Sequence, residues 1–397
     1  MKTLQTAFLT ILVLFLCTPH TQADTLDDVQ FFVDTYYYGD MPENLYTMTS
    51  VDDIIHSLDE YSRYLTAEEY QLYLASVANN KPPATIASTT APRTQQAVTS
   101  SMLHGNIGYL KIAIFSADLD QKVQAHWLAL KKAGATELII DLRYNGGGYV
   151  DSAEQLLGFF PGVTKAYHLA TREGTEMIKP ITTSVKFPKQ TYVLVNRYSA
   201  SASEIVAVAL KDQQAATIVG ETTKGKGSIQ SFFPFEDGGA LKLTIGQFTG
   251  PEGTKVHKLG VKPTIPTAAN KELITIHQQR LEHLLTAQHY RKIEDLPTST
   301  VDKIFRVHFT QAMNLSDAQT SNRIELIELG GAAVPITFNQ TTSQTLEIIP
   351  KNDLQPGAYM LIIHPGLPNT DGRTTKQGTM TTINIASTTA NNVLITS

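Results

Sequence analysis

Hydrophobic positions in the middle of the chain alternate between the period of a strand and the period of a helix. Short apolar or alternating runs predict strands, and amphipathic runs predict the helices between them. The predicted strands are 107–114, 137–142, 191–195, 217–219 and 241–248, and the predicted helices are 119–134, 150–160 and 203–211. Such alternation is typical of a mostly buried sheet covered by helices. The pattern therefore predicts an α/β (α+β) core over residues 106–268.

The residues before this core have a helical pattern. Residues 24–80 are predicted to form an N-terminal helical segment, in which Thr66 and Glu69 have the spacing of a capping box. Most of residues 81–105 is rich in Pro, Thr, Ala and Ser and has no clear apolar period. This stretch is predicted to be a linker or an edge strand.

After the core, the sequence pattern changes from alternating strands and helices to one helix followed by short strands. Residues 269–298 are predicted to form a connecting helix that Asn270 caps. Its predicted apolar face consists of Leu273, Ile274, His277, Leu281, Leu284 and Leu285. Residues 299–387 show short runs with a period of two, separated by turn signals, which predicts a small all-β sandwich before a tail at 388–397.

The first residues resemble a targeting segment. Lys2 precedes an apolar stretch from Ala7 to Cys17, and Thr21 and Ala23 then provide small residues three positions and one position before a cleavage site. This pattern predicts a secretory signal peptide over residues 1–23. The alternative is a membrane anchor, but the apolar run is shorter than the roughly 20 residues that a spanning helix needs. We therefore expect a secreted, extracellular or envelope protein without a stable membrane span.

Composition excludes several classes of function. The chain has 397 residues, 42% of them hydrophobic and 17% charged, which is typical of a globular protein. The formal net charge is −5 and there is no dense Lys/Arg run, so no nucleic-acid partner is expected. The one cysteine, Cys17, falls within the predicted signal peptide. The mature chain would then lack disulfides, zinc–cysteine sites and a cysteine nucleophile.

Two segments of the core could carry chemistry. In the first, a buried strand from Glu137 ends in the polar turn and three glycines of 141–148. Such a turn lets backbone N–H groups approach a ligand, although a simple strand-to-helix connection would look the same. In the second, residues 199–204 open a helix with three serines, and Lys226 follows between two glycines. Taken alone, the serines indicate an ordinary helix N-cap.

A serine hydroxyl needs a base, and the eleven histidines are scattered without an obvious His–Asp pair. A lysine can act as that base only as the neutral amine, which burial favours by lowering its pKa. Arginine could not replace it, because arginine does not lose its proton in proteins.

Three ordered motifs resemble the carboxyl-terminal processing (tail-specific) serine peptidases. They are residues 141–148, 199–204 and 225–230, and residues 59–65 resemble the N-terminal helical signature of that family. The resemblance covers about half the chain and implies a crotonase-like core with a Ser/Lys dyad. By position, Ser201 maps to the nucleophile, Lys226 to the general base and Gln230 to the residue that orients this lysine. The backbone amides of Gly147 and Ala202 map to the oxyanion hole.

The resemblance leaves some alternatives and departures. Ser199 and Ser203 are the other candidate serines, and Lys224 is expected to be a surface charge that could also help to keep Lys226 neutral. Family members commonly insert a PDZ domain, but only 38 residues separate Tyr70 from Gly108, so this domain is expected to be missing. The C-terminal sandwich more weakly resembles bacterial Ig-like modules, which would allow contact with the cell envelope.

The expected function is hydrolysis of protein or peptide substrates, without metal or cofactor. Another interpretation is a catalytically inactive envelope-binding protein with a peptidase-like core. Residues 220–226 also fit the start of a phosphate-binding P-loop, but Gly227 stands where Ser or Thr would hold Mg²⁺. A metal enzyme is disfavoured because no His-x-x-x-His pair or carboxylate cluster has ligand spacing.

Overall fold

The structure, a computed structural model, describes residues 22–78, 96–301, 303–315 and 322–386. Residues 1–21 of the predicted signal peptide, most of the predicted linker and the predicted tail lie outside the described residues. The chain divides into two compact units. The first contains the described part of Met1–Leu74 together with Thr171–Glu173 and Ile229–Gly246, and the second contains the rest.

Seven α-helices and a short 3₁₀ helix at Leu45–Thr47 are present in the described ranges. The helices are α1 (Gln22–Tyr36), α2 (Val51–Ser57), α3 (Ala67–Ala78), α4 (Leu119–Lys132), α5 (Val150–Gly158), α6 (Ala202–Asp212) and α7 (Glu272–Ala287). The strands up to α7 are β1 (Arg63–Leu65), β2 (Val98–Leu103), β3 (Ile107–Ile112), β4 (Glu137–Asp141), β5 (Tyr167–Thr171), β6 (Gly174–Ile178), β7 (Thr191–Val195), β8 (Thr217–Gly220), β9 (Ser228–Pro234), β10 (Ala240–Thr249) and β11 (Ile265–Pro266). Those after it are β12 (Arg291–Lys292), β13 (Leu296–Ser299), β14 (Phe305–His308), β15 (Ile324–Glu328), β16 (Ala333–Val334), β17 (Ile336–Thr342), β18 (Thr345–Pro350), β19 (Gly357–Ile363) and β20 (Thr379–Ile385).

The second unit is built on a six-stranded sheet in the order β11-β8-β7-β4-β3-β2. All neighbours are parallel except β2, which pairs antiparallel with β3 at the edge. Every residue of β4 is buried, as expected for a strand covered on both faces. The mixed α/β core predicted from the alternating pattern is confirmed. Within residues 96–105, β2 forms the antiparallel edge strand of this sheet.

Helix α7 covers one face of this sheet. Its Ile276 packs with Ile139 and Leu194, while Leu130 of α4 approaches Gly108 from the opposite face, together with Leu138. The β4 side chains alternate between the faces, so neighbouring leucine and isoleucine residues reach different helices. Helices α5 and α6 pack against each other beside α4.

Helix α7 also covers the C-terminal β region. There, a six-stranded sheet containing β12, β13, β15, β16, β19 and β20 accompanies a three-stranded sheet of β14, β18 and β17. Tyr359 and Leu361 of β19 pack into the core that the two sheets share, whereas Met360 and Ile362 pack with Leu281 of α7. The predicted period of two in β19 is therefore present, but the second face is buried too, because the connecting helix lies on it.

The start of α7 differs from the prediction. Lys271 is the N-cap residue, and no side chain caps the helix there. Asn270 has a positive φ of 61° one position earlier, and its Oδ1 accepts a hydrogen bond from the hydroxyl of Tyr144 at 2.7 Å. The prediction that Asn270 caps this helix is wrong, because its side chain is engaged outside the helix.

The first unit contains α1, α2, most of α3 and most of the paired strands β9 and β10. Its core joins Val29 and Val33 of α1 and Ile54 of α2 to Leu241 and Leu243 of β10. The capping box at the start of α3 is confirmed, since Thr66 N–H donates to Glu69 Oε2 at 3.0 Å and Glu69 N–H donates to Thr66 Oγ1 at 3.2 Å.

Candidate active site

Ser201 is the N-cap residue of α6, at the carboxyl end of β7. Its backbone has φ 57° and ψ −116°, a conformation that costs a non-glycine residue about 1–3 kcal/mol. The residues that follow it in α6 are buried, whereas Ser201 itself is half-buried. The chain thus turns sharply between strand and helix, and the serine at this turn is not fully buried, as a nucleophile at such a turn requires.

The hydroxyls of the other two serines in this segment are bonded to the backbone. Ser199 Oγ donates to Leu142 O at 2.8 Å and accepts from Asn196 N–H at 3.0 Å. Ser203 Oγ donates to Asn145 O at 3.0 Å. Both side chains are fully buried, so these two serines hold the turn together.

Glu204, three residues after Ser201, is fully buried and accepts four hydrogen bonds. Its Oε2 accepts from the backbone N–H of Ser201 at 2.9 Å and from that of Lys226 at 2.8 Å. Its Oε1 accepts from Gly225 N–H at 2.6 Å and Thr223 Oγ1 at 2.5 Å. One carboxylate therefore joins the serine turn to the lysine loop, and its donors offset the cost of burying the charge.

Lys226 is half-buried in a loop that glycines lock against the segment 256–261. A Cβ on Gly225 would lie 3.0 Å from Gly260 N, and a Cβ on Gly227 would lie 2.5 Å from His257 N. The loop that carries Lys226 is therefore tight. Lys224, two residues earlier, is exposed as predicted. The loop continues into β9 rather than into a helix, which removes the P-loop interpretation, because a P-loop needs a helix N-terminus behind it.

The glycine turn after β4 lies beside Ser201. Gly147 has φ 108°, and a Cβ there would lie 2.9 Å from Ser201 Cβ and 3.2 Å from Ala202 N. The structure thus brings Gly147, Ser201 and Ala202 together. The N–H of Gly147 donates to Asn145 Oδ1 at 2.8 Å, so one of the two amides predicted for the oxyanion hole is engaged within its own turn.

Asn145 connects this turn to its surroundings. Its Nδ2 donates to Ile112 O at 2.9 Å, and its backbone oxygen accepts from Ala200 N–H at 3.0 Å. The side chain is fully buried. Asn145 therefore fixes the glycine turn both to β3 and to the turn that carries Ser201.

Buried charges lie beneath the same edge of the sheet. Arg143 donates to Asp141 Oδ2 at 2.6 Å and to Glu272 Oε2 at 2.8 Å, and both carboxylates are fully buried. Tyr109 donates to Asp141 at 2.6 Å, and burial, followed by the charge of Asp141, raises the pKa of this phenol far above its ordinary value. The arginine neutralises the two acids and anchors α7 at the end of β4.

Gln230 belongs to the first unit and lies on β9. Its Nε2 donates to Thr244 Oγ1 at 3.2 Å, and Thr244 Oγ1 donates to Asp59 Oδ2 at 2.8 Å. Asp59 also accepts from Ser62 Oγ at 2.6 Å. The segment 59–65 that the sequence singled out thus orients the Gln230 amide through Thr244.

No metal centre is evident in the described ranges, where no group of His, Cys, Asp or Glu has the arrangement of a metal site. Over the same residues, no helix has both the length and the apolar character needed to cross a bilayer.

Comparison with known proteins finds a family whose model matches this part of the chain. The model of peptidase family S41 matches residues 106–267, which include the glycine turn, the serine turn and the lysine loop. Residues 106–267 are thus similar to an S41 peptidase domain. The S41 domain agrees with the resemblance to carboxyl-terminal processing peptidases that the motifs had indicated.

Two relatives show the extent of the similarity. The chain is 35% identical over 158 residues to a carboxyl-terminal-processing protease of Synechocystis sp., and 34% identical over 171 residues to the carboxy-terminal processing protease CtpA of Bacillus subtilis. These alignments cover 40% and 43% of this chain but only 37% of each relative. The similarity therefore concerns the S41 domain and not the whole length of either protein.

A solved structure shares the fold over a longer stretch. A lipoprotein from Streptococcus agalactiae matches 69% of this chain and 99% of its own, with a TM-score of 0.51 and 15% sequence identity. At this identity the likeness concerns the fold alone.

The sequence did not reveal several residues of the site. Glu204 was visible only as an acid three residues after a helix-capping serine, which is routine at helix starts. Asn145 and Asn196 gave no signal, since the hydrogen bonds of their amides become evident only when β4 and β7 are neighbours.

Proposed function

We propose that the chain is a serine endopeptidase that cleaves protein or peptide substrates with Ser201 and Lys226. One observation carries the proposal: Glu204 Oε2 accepts hydrogen bonds from the backbone N–H groups of both residues. Two loops that lie 25 residues apart in sequence are thereby held on a single buried oxygen. The match of the S41 family to residues 106–267 supports the same chemistry.

In this mechanism the neutral Lys226 Nζ takes the proton of Ser201 Oγ as this oxygen bonds to the substrate carbonyl carbon. The tetrahedral intermediate collapses as its C–N bond breaks, and Lys226 returns the proton to the departing amine. Water then adds to the acyl-enzyme with Lys226 as base, which releases the new carboxylate and restores Ser201. Gln230 is proposed to orient Lys226, a role that stays a prediction from the sequence.

The oxyanion would be stabilised by the backbone amides of Ala202 and Gly147. Ala202 opens α6, where the helix dipole favours negative charge. Because Gly147 N–H donates to Asn145 Oδ1, this amide must be shared with, or released by, Asn145 when the intermediate forms. Removing one such donor typically costs about 10²–10³ in kcat.

Export follows from the predicted signal peptide. The C-terminal sheets are proposed to be an Ig-like sandwich that contacts the cell envelope, and substrate choice is proposed to proceed without a PDZ domain. The second candidate, an inactive envelope-binding protein, would retain that contact and lack turnover.

Cleavage of casein, an unstructured substrate, tests the proposal. We expect Ser201→Ala and Lys226→Arg to abolish cleavage while the circular dichroism spectrum stays unchanged, because arginine keeps its proton. Lys224→Arg is the matched control and should retain at least half of the activity. Full activity of Lys226→Arg would exclude the dyad, and a wild-type protein without turnover on any peptide library would favour the binding protein.

A further inference from the structure

Two exposed tyrosines form a stacked pair at the carboxyl edge of the central sheet. The ring centroids of Tyr144 and Tyr198 are 5.3 Å apart and the ring planes are inclined by 18°. The two residues are 55% and 57% exposed, which is unusual for large aromatic side chains that could pack inside. We call this pair the tyrosine platform.

Hydrogen bonds from the surrounding structure hold the tyrosine platform in place. Asn196, which is 2% exposed, accepts at its single Oδ1 the backbone N–H of Tyr144 at 3.0 Å and that of Tyr198 at 3.1 Å. The hydroxyl of Tyr144 is held by Asn270 Oδ1 at 2.7 Å. The backbones of both tyrosines and the ring of Tyr144 are therefore held before any ligand arrives, which lowers the entropy lost on binding.

The backbone of Tyr144 is also in the left-handed region, with φ 63°. A tyrosine in this region costs about 1–3 kcal/mol, and such strain concentrates at functional sites. A glycine or an asparagine would meet the same turn at lower cost. The strained position therefore carries a large exposed ring that packing alone does not require.

The platform adjoins the proposed catalytic groups. Tyr144 precedes Gly147 by three residues and Tyr198 precedes Ser201 by three, and these residues follow the neighbouring parallel strands β4 and β7. The carboxyl edge of a parallel sheet is where ligands of α/β proteins bind. A substrate chain that presents its carbonyl to Ser201 would place a nearby side chain over the rings.

The chemistry of the platform defines that side chain. Two phenol rings offer apolar area and π faces without formal charge, and they favour aromatic or aliphatic groups. The guanidinium of the neighbouring Arg197 is paired with Glu221 Oε1 at 2.5 Å, which offsets its positive charge. We infer that Tyr144 and Tyr198 form a specificity subsite for an aromatic or aliphatic side chain of the substrate close to the cleaved bond.

This inference rests on the proposed function for its substrate, but it can be tested without turnover. A positional-scanning library of blocked hexapeptides is offered to the Ser201→Ala protein, and captured peptides are identified by mass spectrometry. We expect Phe, Tyr and Leu to be enriched about tenfold over Gly and Asp at one position or more. Tyr198→Ala in the same background should remove the enrichment, whereas Tyr198→Phe, which keeps the ring, should retain it.

Tyr46→Ala is the matched control, since Tyr46 is 66% exposed and lies in the first unit. It should leave the enrichment unchanged. Enrichment that persists in Tyr198→Ala, or none in the parent protein, would overturn the inference. Hydrolysis of p-nitrophenyl acetate by the protein with Ser201 intact tests the nucleophile separately, because this small ester does not need the platform. Loss of ester hydrolysis in Ser201→Ala, combined with equal capture by Tyr198→Ala, would keep the peptidase proposal and reject the subsite.

Discussion

The backbone N–H groups of Ser201 and Lys226 donate to the same oxygen, Oε2 of Glu204, at 2.9 and 2.8 Å. The local structure around each residue does not by itself determine where the two backbones lie relative to each other. Ser201 caps a helix, and Lys226 lies in a loop before a strand. The buried carboxylate therefore holds the backbones of the two proposed catalytic residues as well as closing the start of α6.

Replacing this carboxylate tests that role directly. Glu204→Gln keeps the shape, but its amide nitrogen would face N–H and O–H donors, and at least one pair of hydrogen bonds would be lost. We expect a loss of about 3 kcal/mol in the free energy of unfolding and at least a hundredfold fall in casein cleavage. Urea unfolding and initial rates measure both. Glu252→Gln, which removes an exposed partner of Lys165, is the control and should change stability by less than about 0.5 kcal/mol.

The glycine turn offers a matched pair of substitutions. A Cβ at Gly147 would crowd Ser201 Cβ and Ala200 O at a positive φ, whereas a Cβ at Gly146 meets nothing within 4 Å. We therefore expect Gly147→Ala to lower kcat about 10²–10³-fold, because it displaces the proposed oxyanion amide, and Gly146→Ala to stay within about twofold of the wild type. Equal effects of the two alanines on kcat would contradict the proposed position of the oxyanion hole.

Thr244 should set the orientation of the Gln230 amide. Its hydroxyl donates to Asp59, so it can only accept from Gln230, and the amide nitrogen must face it. Thr244→Val removes both hydrogen bonds. We expect kcat to fall about tenfold, which corresponds to the loss of the one hydrogen bond that orients Gln230. Thr244→Ser keeps the hydroxyl and should restore the rate. If valine and serine variants had the same kcat, Gln230 would not act through its orientation.

The junction between the sheet and the C-terminal β region should weaken in acid. His277 is fully buried, accepts from Gly330 N–H at its Nδ1 (2.7 Å) and contacts His104 O through its Nε2 (3.0 Å), so it must be neutral. Burial lowers the pKa of His277 to about 4. Because the unfolded chain binds this proton near pH 6.5, the stabilisation is complete above that pH and is lost as the pH falls through about 4.

We expect about 2 kcal/mol of this stabilisation to disappear between pH 7.5 and 5. Neighbouring groups act in the same direction. Burial lowers the pKa of His104. The hydrogen bond with His364 lowers the pKa of Glu325, so the stabilisation that Glu325 contributes to the fold is lost as the pH falls through this lowered pKa. His277→Gln can keep both hydrogen bonds and cannot titrate, so its melting temperature should fall less steeply with acid. Parallel pH profiles for the two proteins would exclude His277 as the cause.

The sequence predicted the sheet and its helices because buried parallel strands and amphipathic helices have distinct periods, as in β4 and α4. It also predicted the tight lysine loop, since the glycines beside Lys226 permit the close approach to 256–261. It could not predict the hydrogen bonds of Glu204, Asn145 and Asn196, which depend on which strands are neighbours. The sequence also predicted wrongly that Asn270 is a helix cap. An asparagine side chain can either cap a helix or accept the hydrogen bond of the Tyr144 hydroxyl, and the sequence does not distinguish these two roles.

Covalent trapping of the nucleophile tests the central claim most directly. The wild-type protein is treated with diisopropyl fluorophosphate, digested, and analysed by mass spectrometry, with casein cleavage measured on the same sample. We predict one phosphoryl group on Ser201, loss of cleavage in proportion to labelling, and no labelling in Lys226→Arg. A label on Ser199 or Ser203, or full cleavage of casein by a protein whose Ser201 is labelled, would contradict the account.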